Sequence, residues 1–239
     1  MIMAGGRSLR MRERGDPTHK ALVCLDGIPM VERSLLTALA HGSRSIALAV
    51  SAQEPDLIRF ARSRLRGLAE NADARFDCII ETQPLGTIGA IARVTIADAL
   101  LVVNVDNITD LDLRRLVERH RSSAAAMTIA AHREPFTMPF GELDIRDGAV
   151  CAYREKPTHC RLVSSGTYVF SASAASSIQA DERIDVPEIF ARVRARGLLV
   201  AAHEHDARWI DVNDAGALAR AQGHVPPASD TPGLRAVSR

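Results

Sequence analysis

Short apolar runs alternate with amphipathic stretches through the first half of the chain. The runs are short enough to form strands and lie at 1–4, 45–50, 78–80, 100–103 and 126–131. Apolar residues at helical spacing fill the segments between them, at 30–40, 56–68, 87–97 and 111–120. Strands that alternate with helices predict an α/β fold, with a Rossmann-like mixed, mostly parallel sheet and helices on both faces.

The pattern changes in the middle of the chain. Two runs, 142–145 and 149–153, flank Asp147-Gly148, a strong hairpin turn signal. With a further strand at 162–170, they predict a small β-rich insertion around 139–170. Helical patterns return at 186–196 and 214–221. The sequence therefore predicts one domain over 1–222, followed by a Pro-, Ser- and Gly-rich tail at 223–239 that we expect to be disordered.

The first apolar run has only four residues before Gly5, which is short for a central parallel strand. Two interpretations stay open at this stage. Either the sheet accepts a short strand, or the native start lies upstream of Met1.

Composition excludes several classes of protein. No apolar run approaches the roughly 18 residues of a membrane span, and a net charge of +1 gives no global field for nucleic acid. Aromatic residues make up 4%, too few for base-stacking platforms. The four cysteines show no CxxC spacing, which is typical of a reducing cytoplasm rather than a zinc or disulfide scaffold.

Lysine usage is unusual. The chain has 28 arginines and only two lysines, Lys20 and Lys156. A compact ammonium group among crowded phosphate oxygens is a setting where a planar guanidinium is a poor substitute. The two lysines are therefore candidate phosphate ligands, with chance placement as the alternative.

A glycine loop follows the first strand. Gly5 and Gly6, directly after Ala4, would let backbone N–H groups approach phosphate oxygens, and arginines including Arg10 follow. The spacing is neither GxGxxG nor a P-loop. An ordinary tight turn is the alternative for the two glycines, but a long positive loop at the carboxyl end of a first strand is where α/β sheets bind ligands.

The chain resembles the sugar-1-phosphate nucleotidylyltransferases over its whole length except the tail. The motifs that carry the resemblance occur in family order: AGGRSLRMR (4–12), THKALVCLDGIPMVERSL (18–35), ETQPLGTIGAI (81–91), LVVNVDNIT (101–109), PFGELDI and REKP (139–157), SSGTYVF (164–170) and WIDVNDAGALARA (209–221). The chain departs from the family pattern at Ser8, Leu9, His19, Ala21 and Asn213-Asp214.

The resemblance implies a reaction and assigns residues to it. A sugar phosphate, or a related cyclitol phosphate, would attack the α-phosphorus of an NTP and release pyrophosphate. Arg10 and Lys20 would hold the triphosphate, with the loop at Ala4, Gly5 and Gly6. On the acceptor side, Lys156 would hold the phosphate and Glu155 the hydroxyls. Gly141 and Gly166 would leave backbone room around the sugar ring.

Two aspartates are candidate metal ligands. Asp106 ends a buried apolar run, and Asp211 repeats that layout after Trp209-Ile210. Two carboxylates suit Mg²⁺, a hard cation that also takes substrate phosphates. A helix N-cap is the alternative for either residue, especially Asp211. We also expect Asp110 and Asp112 to cap a helix.

The segment 81–89 is the candidate base-binding segment. Gln83 could pair with the edge of the base, and Gly86 and Gly89 would leave room for a flat ring. A helix N-terminus capped at Gly86-Thr87 is the alternative, and both can hold. The resemblance favours GTP, leaves UTP, CTP, TTP and ATP open, and leaves the oligomeric state open, a dimer included.

Three other functions compete with this hypothesis. A glycosyltransferase usually carries Asp-x-Asp, whereas this chain has Asp106-Asn107-Ile108. A non-catalytic homologue should have lost Arg10, Lys20 or Asp106, and none is lost. An NAD-dependent enzyme would carry GxGxxG after the first strand.

Overall fold

The computed structural model describes residues 1–5 and 19–212, together with Ala217 and Ala221. The strands in chain order are β1 (Ile2–Ala4), β2 (Cys24–Leu25), β3 (Ile28–Pro29), β4 (Ser45–Ser51), β5 (Arg75–Glu81), β6 (Leu100–Asn104), β7 (Asn107–Thr109), β8 (Met127–Thr137), β9 (Glu142–Arg146), β10 (Ala149–Arg154), β11 (Thr158–Phe170), β12 (Val200–Glu204) and β13 (Trp209–Asp211). The helices are α1 (Met30–Ala40), α2 (Pro55–Phe60), α3 (Arg66–Asn71), α4 (Leu113–Ser122), α5 (Ala172–Ala175) and α6 (Val186–Ala195). A π-helical turn (Ala61–Leu65) joins α2 to α3, and 3₁₀ turns occur at Lys20–Leu22 and Gly89–Arg93.

Seven strands form one sheet in the order β12-β8-β11-β6-β1-β4-β5. β11 is antiparallel to both neighbours, β6 and β8, and the other pairs are parallel. The predicted mixed, mostly parallel α/β sheet is therefore confirmed. The carboxyl ends of β1, β4, β5 and β6 lie at one edge, which is where open α/β sheets bind ligands.

Two apolar clusters cover the two faces of the sheet. Successive side chains of a strand point to opposite faces of the sheet. Ile2 of β1 therefore packs in the first cluster and its neighbour Met3 packs in the second. Leu35 of α1 and Leu57 of α2 pack in the first cluster, and Ile189 of α6 packs in the second. Helices on both faces thus shield the central strands from water.

The short central strand is well anchored. β1 pairs with β4 on one side and with β6 on the other. The ladder continues to Met1, whose nitrogen donates to Leu101 O at 2.6 Å and whose carbonyl accepts from Val103 N at 3.0 Å. Three strand residues are enough here because both edges are paired.

The predicted helix at 87–97 is wrong. Only the 3₁₀ turn at Gly89–Arg93 forms there. Leu85, Ile88 and Ile91 are all fully buried against the second cluster, and Arg93 donates to Ile80 O at 2.8 Å. Tertiary packing of these side chains therefore overrides the helical spacing.

The hairpin of the predicted β-rich insertion is confirmed: β9 pairs with β10 and turns at Asp147 and Gly148, both at positive φ. The strand predicted at 162–170 also forms, but as part of β11 it belongs to the seven-stranded sheet. β8 and β11 are longer than their apolar runs, because they pair out to Thr137 and Thr158 beyond the edge of the core. Exposed residues dominate this extension, so no alternation of buried and exposed positions reveals it in the sequence.

Some observed elements have no counterpart in the sequence pattern. The pattern does not predict β7 in the middle of the chain, or β12 and β13 near its C-terminus, because these strands are short and partly exposed. The predicted helix at 214–221 lies outside the described residues except for Ala217 and Ala221, both helical, and the predicted tail at 223–239 lies wholly outside them. Across the described parts of the chain, no helix has both the length and the apolar character needed to cross a bilayer.

The turn at Gly86 yields a stability prediction. Gly86 has φ +76°, and a methyl group there would lie 2.4 Å from Ile184 O. Gly27 has nearly the same φ, +75°, but open space around it. Gly27→Ala should lower the free energy of unfolding by about 1 kcal/mol through its backbone conformation alone. Gly86→Ala should lower it by about 2 kcal/mol more, because a backbone carbonyl must move. Urea unfolding of both variants measures the difference, and equal losses would contradict the close approach.

Candidate active site

The end of β1 lies against a buried glutamate. Ala4 is buried, and a methyl group at Gly5 would lie 2.6 Å from Glu81 Oε2. The Glu81 carboxylate occupies the space that a side chain at position 5 would take, so a larger residue there would require Glu81 to move. Gly6 and Arg10 lie outside the described residues.

Glu81 is an unusual carboxylate. It ends β5 and is only 3% exposed, and its Oε1 is buried without a hydrogen-bond partner in the described structure. Burial raises the pKa of Glu81, opposed by a hydrogen bond from the Leu85 backbone and by the charge of Arg93. An acceptor of this kind next to a ligand loop is suited to a ligand that offers N–H donors.

A second loop holds the turn that follows Glu81. Thr87 N donates to Asp185 Oδ1 at 2.7 Å, and Asp185 forms a capping box with Glu188 at the start of α6. Gln83 Nε2 donates to Asp181 O at 3.1 Å. The side chain of Gln83 is thus directed to this loop, and the turn is fixed by residues almost 100 positions away.

The glycines of this turn do not leave open space. The position of a side chain at Gly86 is filled by Ile184 O, and that at Gly89 by Glu182 O, 2.5 Å away. The space that a side chain would take at these two residues is therefore filled by the protein, and base binding along this segment stays a prediction. The glycines let the loop before α6 pack against the turn.

Lys20 and Asp106 form an ion pair across the carboxyl edge of the sheet. Lys20 Nζ donates to Asp106 Oδ2, and both side chains are largely buried. Lys20 begins a 3₁₀ turn capped by the buried His19, whose Nδ1 accepts from Ala21 N at 3.1 Å. This cap fixes where the chain enters the turn, and so holds Lys20 beside the carboxylate.

Asp106 lies in the turn between β6 and β7, next to the strand pair that carries Asp211. Asp211 lies in β13 and pairs in register with Asn107 of β7, and Val212 N donates to Asp106 O at 3.0 Å. Asp211 is thus a strand residue in the described structure. The donor set is two carboxylates, one already attracting an ammonium group, which matches the oxygen ligands that Mg²⁺ prefers.

Gly166 lies beside this strand pair. Its φ is +66°, and a methyl group there would lie 2.1 Å from Asn107 Nδ2. The same Asn107 amide donates to Ser165 O at 2.7 Å. Gly166 therefore belongs to a turn fastened to the residue that follows Asp106.

The remaining acceptor-side residues lie on the insertion. Gly141 leaves room for Tyr153, since a methyl group there would lie 2.3 Å from the phenol oxygen. Tyr153 OH donates to Glu155 Oε2 at 2.8 Å. Glu155 and Lys156 are exposed, and Lys156 has φ +43° in the link from β10 to β11. No hydrogen bond or ion pair between described residues joins Lys156 to the aspartate pair.

The two predicted helix caps have different roles. Asp112 caps α4 by accepting from Arg114 N and Arg115 N. Asp110 instead accepts from Arg208 N at 2.7 Å and from Arg208 Nε at 3.0 Å. It therefore ties the segment before α4 to the residue that precedes β13.

The sequence did not identify several residues around the site. Asn107 lies inside a quoted motif, but no pattern marks its amide as the group that holds Ser165. No sequence pattern distinguishes His132 and His205 from ordinary surface or core histidines, yet both form hydrogen bonds with Ser165 Oγ.

Comparisons with known proteins find relatives that match most of the chain. The Nucleotidyl transferase family profile matches residues 1–226. D-glycero-α-D-manno-heptose 1-phosphate guanylyltransferase of Aneurinibacillus thermoaerophilus is 24% identical over 216 residues, 89% of this chain and 91% of that protein. The catalytic subunit beta of mannose-1-phosphate guanylyltransferase from Drosophila pseudoobscura pseudoobscura is 26% identical, and the match spans 89% of this chain but 58% of that protein.

Solved structures share the fold. HddC from Yersinia pseudotuberculosis superposes with a TM-score of 0.68 at 23% identity, covering 93% of this chain and 96% of that one. A putative glucose-1-phosphate thymidylyltransferase from Bacillus anthracis gives a TM-score of 0.69 at 18% identity, covering 93% and 92%. Because the family profile spans nearly the whole chain, this protein belongs to the nucleotidyl transferase family.

Proposed function

We propose that this protein transfers a nucleotidyl group from an NTP to a sugar 1-phosphate, or a related cyclitol phosphate, in a Mg²⁺-dependent reaction. The observation that carries the proposal is the pairing of Lys20 with Asp106 beside Asp211, at the carboxyl edge of the sheet. A cationic side chain paired with one carboxylate, with a second carboxylate on the adjoining strand, supplies charges that a reaction between two polyanions requires.

The reaction joins two phosphates. An oxygen of the acceptor phosphate forms a bond to the α-phosphorus, and the bond from that phosphorus to the bridging oxygen breaks, which releases pyrophosphate. Lys20 would neutralise charge at the α-phosphate, together with Arg10 of the glycine loop. Asp106 and Asp211 would hold Mg²⁺, which when bound would neutralise phosphate charge.

The base proposed is guanine. The names of the guanylyltransferase relatives favour it, and one solved HddC structure is a complex with GMP-PN. Guanine presents two adjacent donors, N1–H and the N2 amino group, and a carboxylate is an acceptor only. Glu81 supplies a buried carboxylate with one oxygen still available, next to Gly5.

The acceptor would lie on the side of β11 and the insertion. Gly166 approaches Asn107, the neighbour of Asp106, so the backbone of this turn lies close to the proposed metal. Glu155 and Lys156 are exposed on the insertion, where Glu155 could accept from hydroxyls and Lys156 could bind the acceptor phosphate.

A pyrophosphate-release assay tests the proposal directly. GTP, ATP, UTP, CTP and dTTP would each be paired with mannose, glucose and heptose 1-phosphates and a cyclitol phosphate in the presence of Mg²⁺. We expect release with GTP and one of these acceptors. Absence of pyrophosphate from every pair would contradict the proposed function.

The aspartate pair yields a metal prediction. Asp106→Ala and Asp211→Ala should each lower kcat/KM by about 100-fold and raise the Mg²⁺ concentration required, because a metal ligand is lost. Asp98→Ala is the control, since Asp98 forms an exposed ion pair with Arg121. Steady-state rates across a Mg²⁺ titration measure the effect. Normal activity of Asp211→Ala at low Mg²⁺ would contradict the metal site.

The two lysines yield a second prediction. Lys20→Arg should lower kcat, because a longer planar group misplaces charge at the α-phosphate. Lys156→Arg should raise the acceptor KM and leave the NTP KM nearly unchanged. A displacement of about 1 Å can cost on the order of 100-fold. Kinetics with each substrate varied in turn separate the two effects.

Arg59→Lys, in an exposed ion pair with Asp56, controls for exchange of one cation for the other and should change nothing. Wild-type constants for either lysine variant would remove that residue from the site.

Glu81 yields a prediction on base selection. Glu81→Gln replaces one acceptor oxygen by an amide donor, which would face a donor of guanine. We expect the preference for GTP over ATP, measured as a ratio of kcat/KM, to fall by about tenfold or more. Glu32→Gln is the matched control. Glu32, on α1, is also buried, but its carboxylate is paired with Arg64. An unchanged ratio in Glu81→Gln would exclude Glu81 from base recognition.

A further inference from the structure

One buried hydroxyl is shared between two histidines beneath the Gly166 turn. Ser165 is 1% exposed, and its Oγ lies 2.9 Å from His132 Nδ1 and 2.8 Å from His205 Nε2. His132 is also buried, and His205 is anchored through its backbone N–H to Ala131 O at 3.0 Å. The hydroxyl therefore joins β8, β11 and the segment after β12.

Each contact to the hydroxyl fits either proton direction, because a neutral imidazole has one donor and one acceptor nitrogen and a hydroxyl can do both. The other nitrogen of each ring, His132 Nε2 and His205 Nδ1, is buried and has no hydrogen-bond partner in the described structure. The hydroxyl can therefore donate to one ring and accept from the other.

Burial lowers the pKa of His205, as do the nearby charges of His132 and His203. The lowered pKa favours the neutral ring, which has one N–H donor and one bare acceptor nitrogen. The Ser165 hydroxyl has both a hydrogen to donate and an oxygen that accepts, so it can bond both rings at once.

The backbone of Ser165 is fixed as tightly as its side chain. Ser165 O accepts from Asn107 Nδ2 at 2.7 Å and from Trp209 Nε1 at 2.8 Å. The Trp209 ring packs on His132 with a centroid distance of 4.4 Å. The same two donors belong to β7 and β13, the strands that carry or adjoin the aspartate pair.

The cluster lies at an irregularity in β11. The register between β11 and β8 shifts between Ser164 and Tyr168, so Ser165, Gly166 and Thr167 bulge out of the ladder. Bulges beside sites re-aim the backbone and side chains that they carry. On the other side of β11, Thr167 stays in register with Val103 of β6, so Ser165 and Gly166 are the bulge residues that no ladder register holds.

We propose that Ser165 is a positioning residue for the acceptor, with its hydroxyl clamped between His132 and His205. The clamp fixes the bulge, and so the Gly166 backbone beside Asn107. This inference rests on the proposed function, in which Gly166 faces the acceptor. The nucleotide side, at Gly5 and Glu81, lies on β1 and β5, across β6 from the clamp. The clamp should therefore affect acceptor binding and not nucleotide binding.

Kinetics of Ser165→Ala test the positioning. We expect the acceptor KM to rise about tenfold while the NTP KM stays within about twofold. Ser171→Ala is the matched control, because Ser171 Oγ also bonds a buried histidine, His120 Nε2, at 2.9 Å. Ser171 follows β11 at the opposite edge of the sheet, so its loss should lower the melting temperature without changing the ratio of the two KM values.

Two His205 variants test whether the hydrogen bond itself matters. His205→Gln places an amide group, which can donate or accept, near the position of Nε2 and should retain the low acceptor KM. His205→Leu fills similar space without a hydrogen-bonding group and should behave like Ser165→Ala. If Ser165→Ala raises neither KM, or raises both equally, the positioning role is overturned. If the two His205 variants have the same acceptor KM, the clamp is overturned.

Imidazole ¹⁵N NMR of the unliganded wild-type protein separates these outcomes from failure of the proposed function. We expect Ser165→Ala to shift the signals of His132 Nδ1 and His205 Nε2, which lose their shared partner, and to leave those of His120 unchanged. Unchanged His132 and His205 signals in Ser165→Ala would overturn the clamp. A wild-type protein that releases no pyrophosphate would instead contradict the proposed function, with the NMR result still deciding whether the clamp exists.

Discussion

The parallel pairing of β1 with β4 and β6 is the constraint on which the site depends. Parallel strands end at the same edge of the sheet. Residues that follow different strands therefore come together at that edge although they are far apart in the sequence. Gly5 follows β1, Glu81 ends β5 and Asp106 follows β6. A change of register in this ladder would move all three groups and bury the wrong face of each strand.

Within the seven-stranded sheet, β11 is the strand that runs antiparallel to its neighbours. It runs from the insertion towards the core, so its first residues are mostly exposed and its last residues are buried. Between them, the bulge at Ser165 brings a turn of β11 beside Asn107. The two halves of the proposed site are thus built on opposite sides of β6.

The strength of the charge interactions in the site depends on how far the charged side chains are buried. Water would screen the charges of Lys20 and Asp106, but both side chains are mostly covered, so their attraction is stronger than that of surface ion pairs. Glu81 is buried with less compensation, and burial raises its pKa. A fold keeps such a costly group only where the surroundings hold it in place, as Leu85 N and the contact with Gly5 do here.

The glycines of the motifs are explained by packing within the protein. The sequence predicts that Gly86, Gly89 and Gly141 leave room for a ligand. In the structure, carbonyl groups of the loop before α6 and the Tyr153 phenol occupy the positions that side chains would take there. A glycine in a sequence indicates that a side chain is excluded. It does not indicate whether a ligand or another part of the chain excludes it.

The sequence by itself determined the α/β class, the alternation of strands and helices, the hairpin at Asp147-Gly148 and the family motifs that contain Lys20, Asp106 and Gly166. These depend on local signals, namely periodicity, turn residues and spacing, which are readable within short windows. Only the tertiary structure decided that Glu81 lies beneath Gly5, that Asp185 holds Thr87, and that His132 and His205 share one hydroxyl. Each of these contacts joins residues far apart in the chain, and a polar side chain acquires such a role only when packing removes water and leaves it one partner.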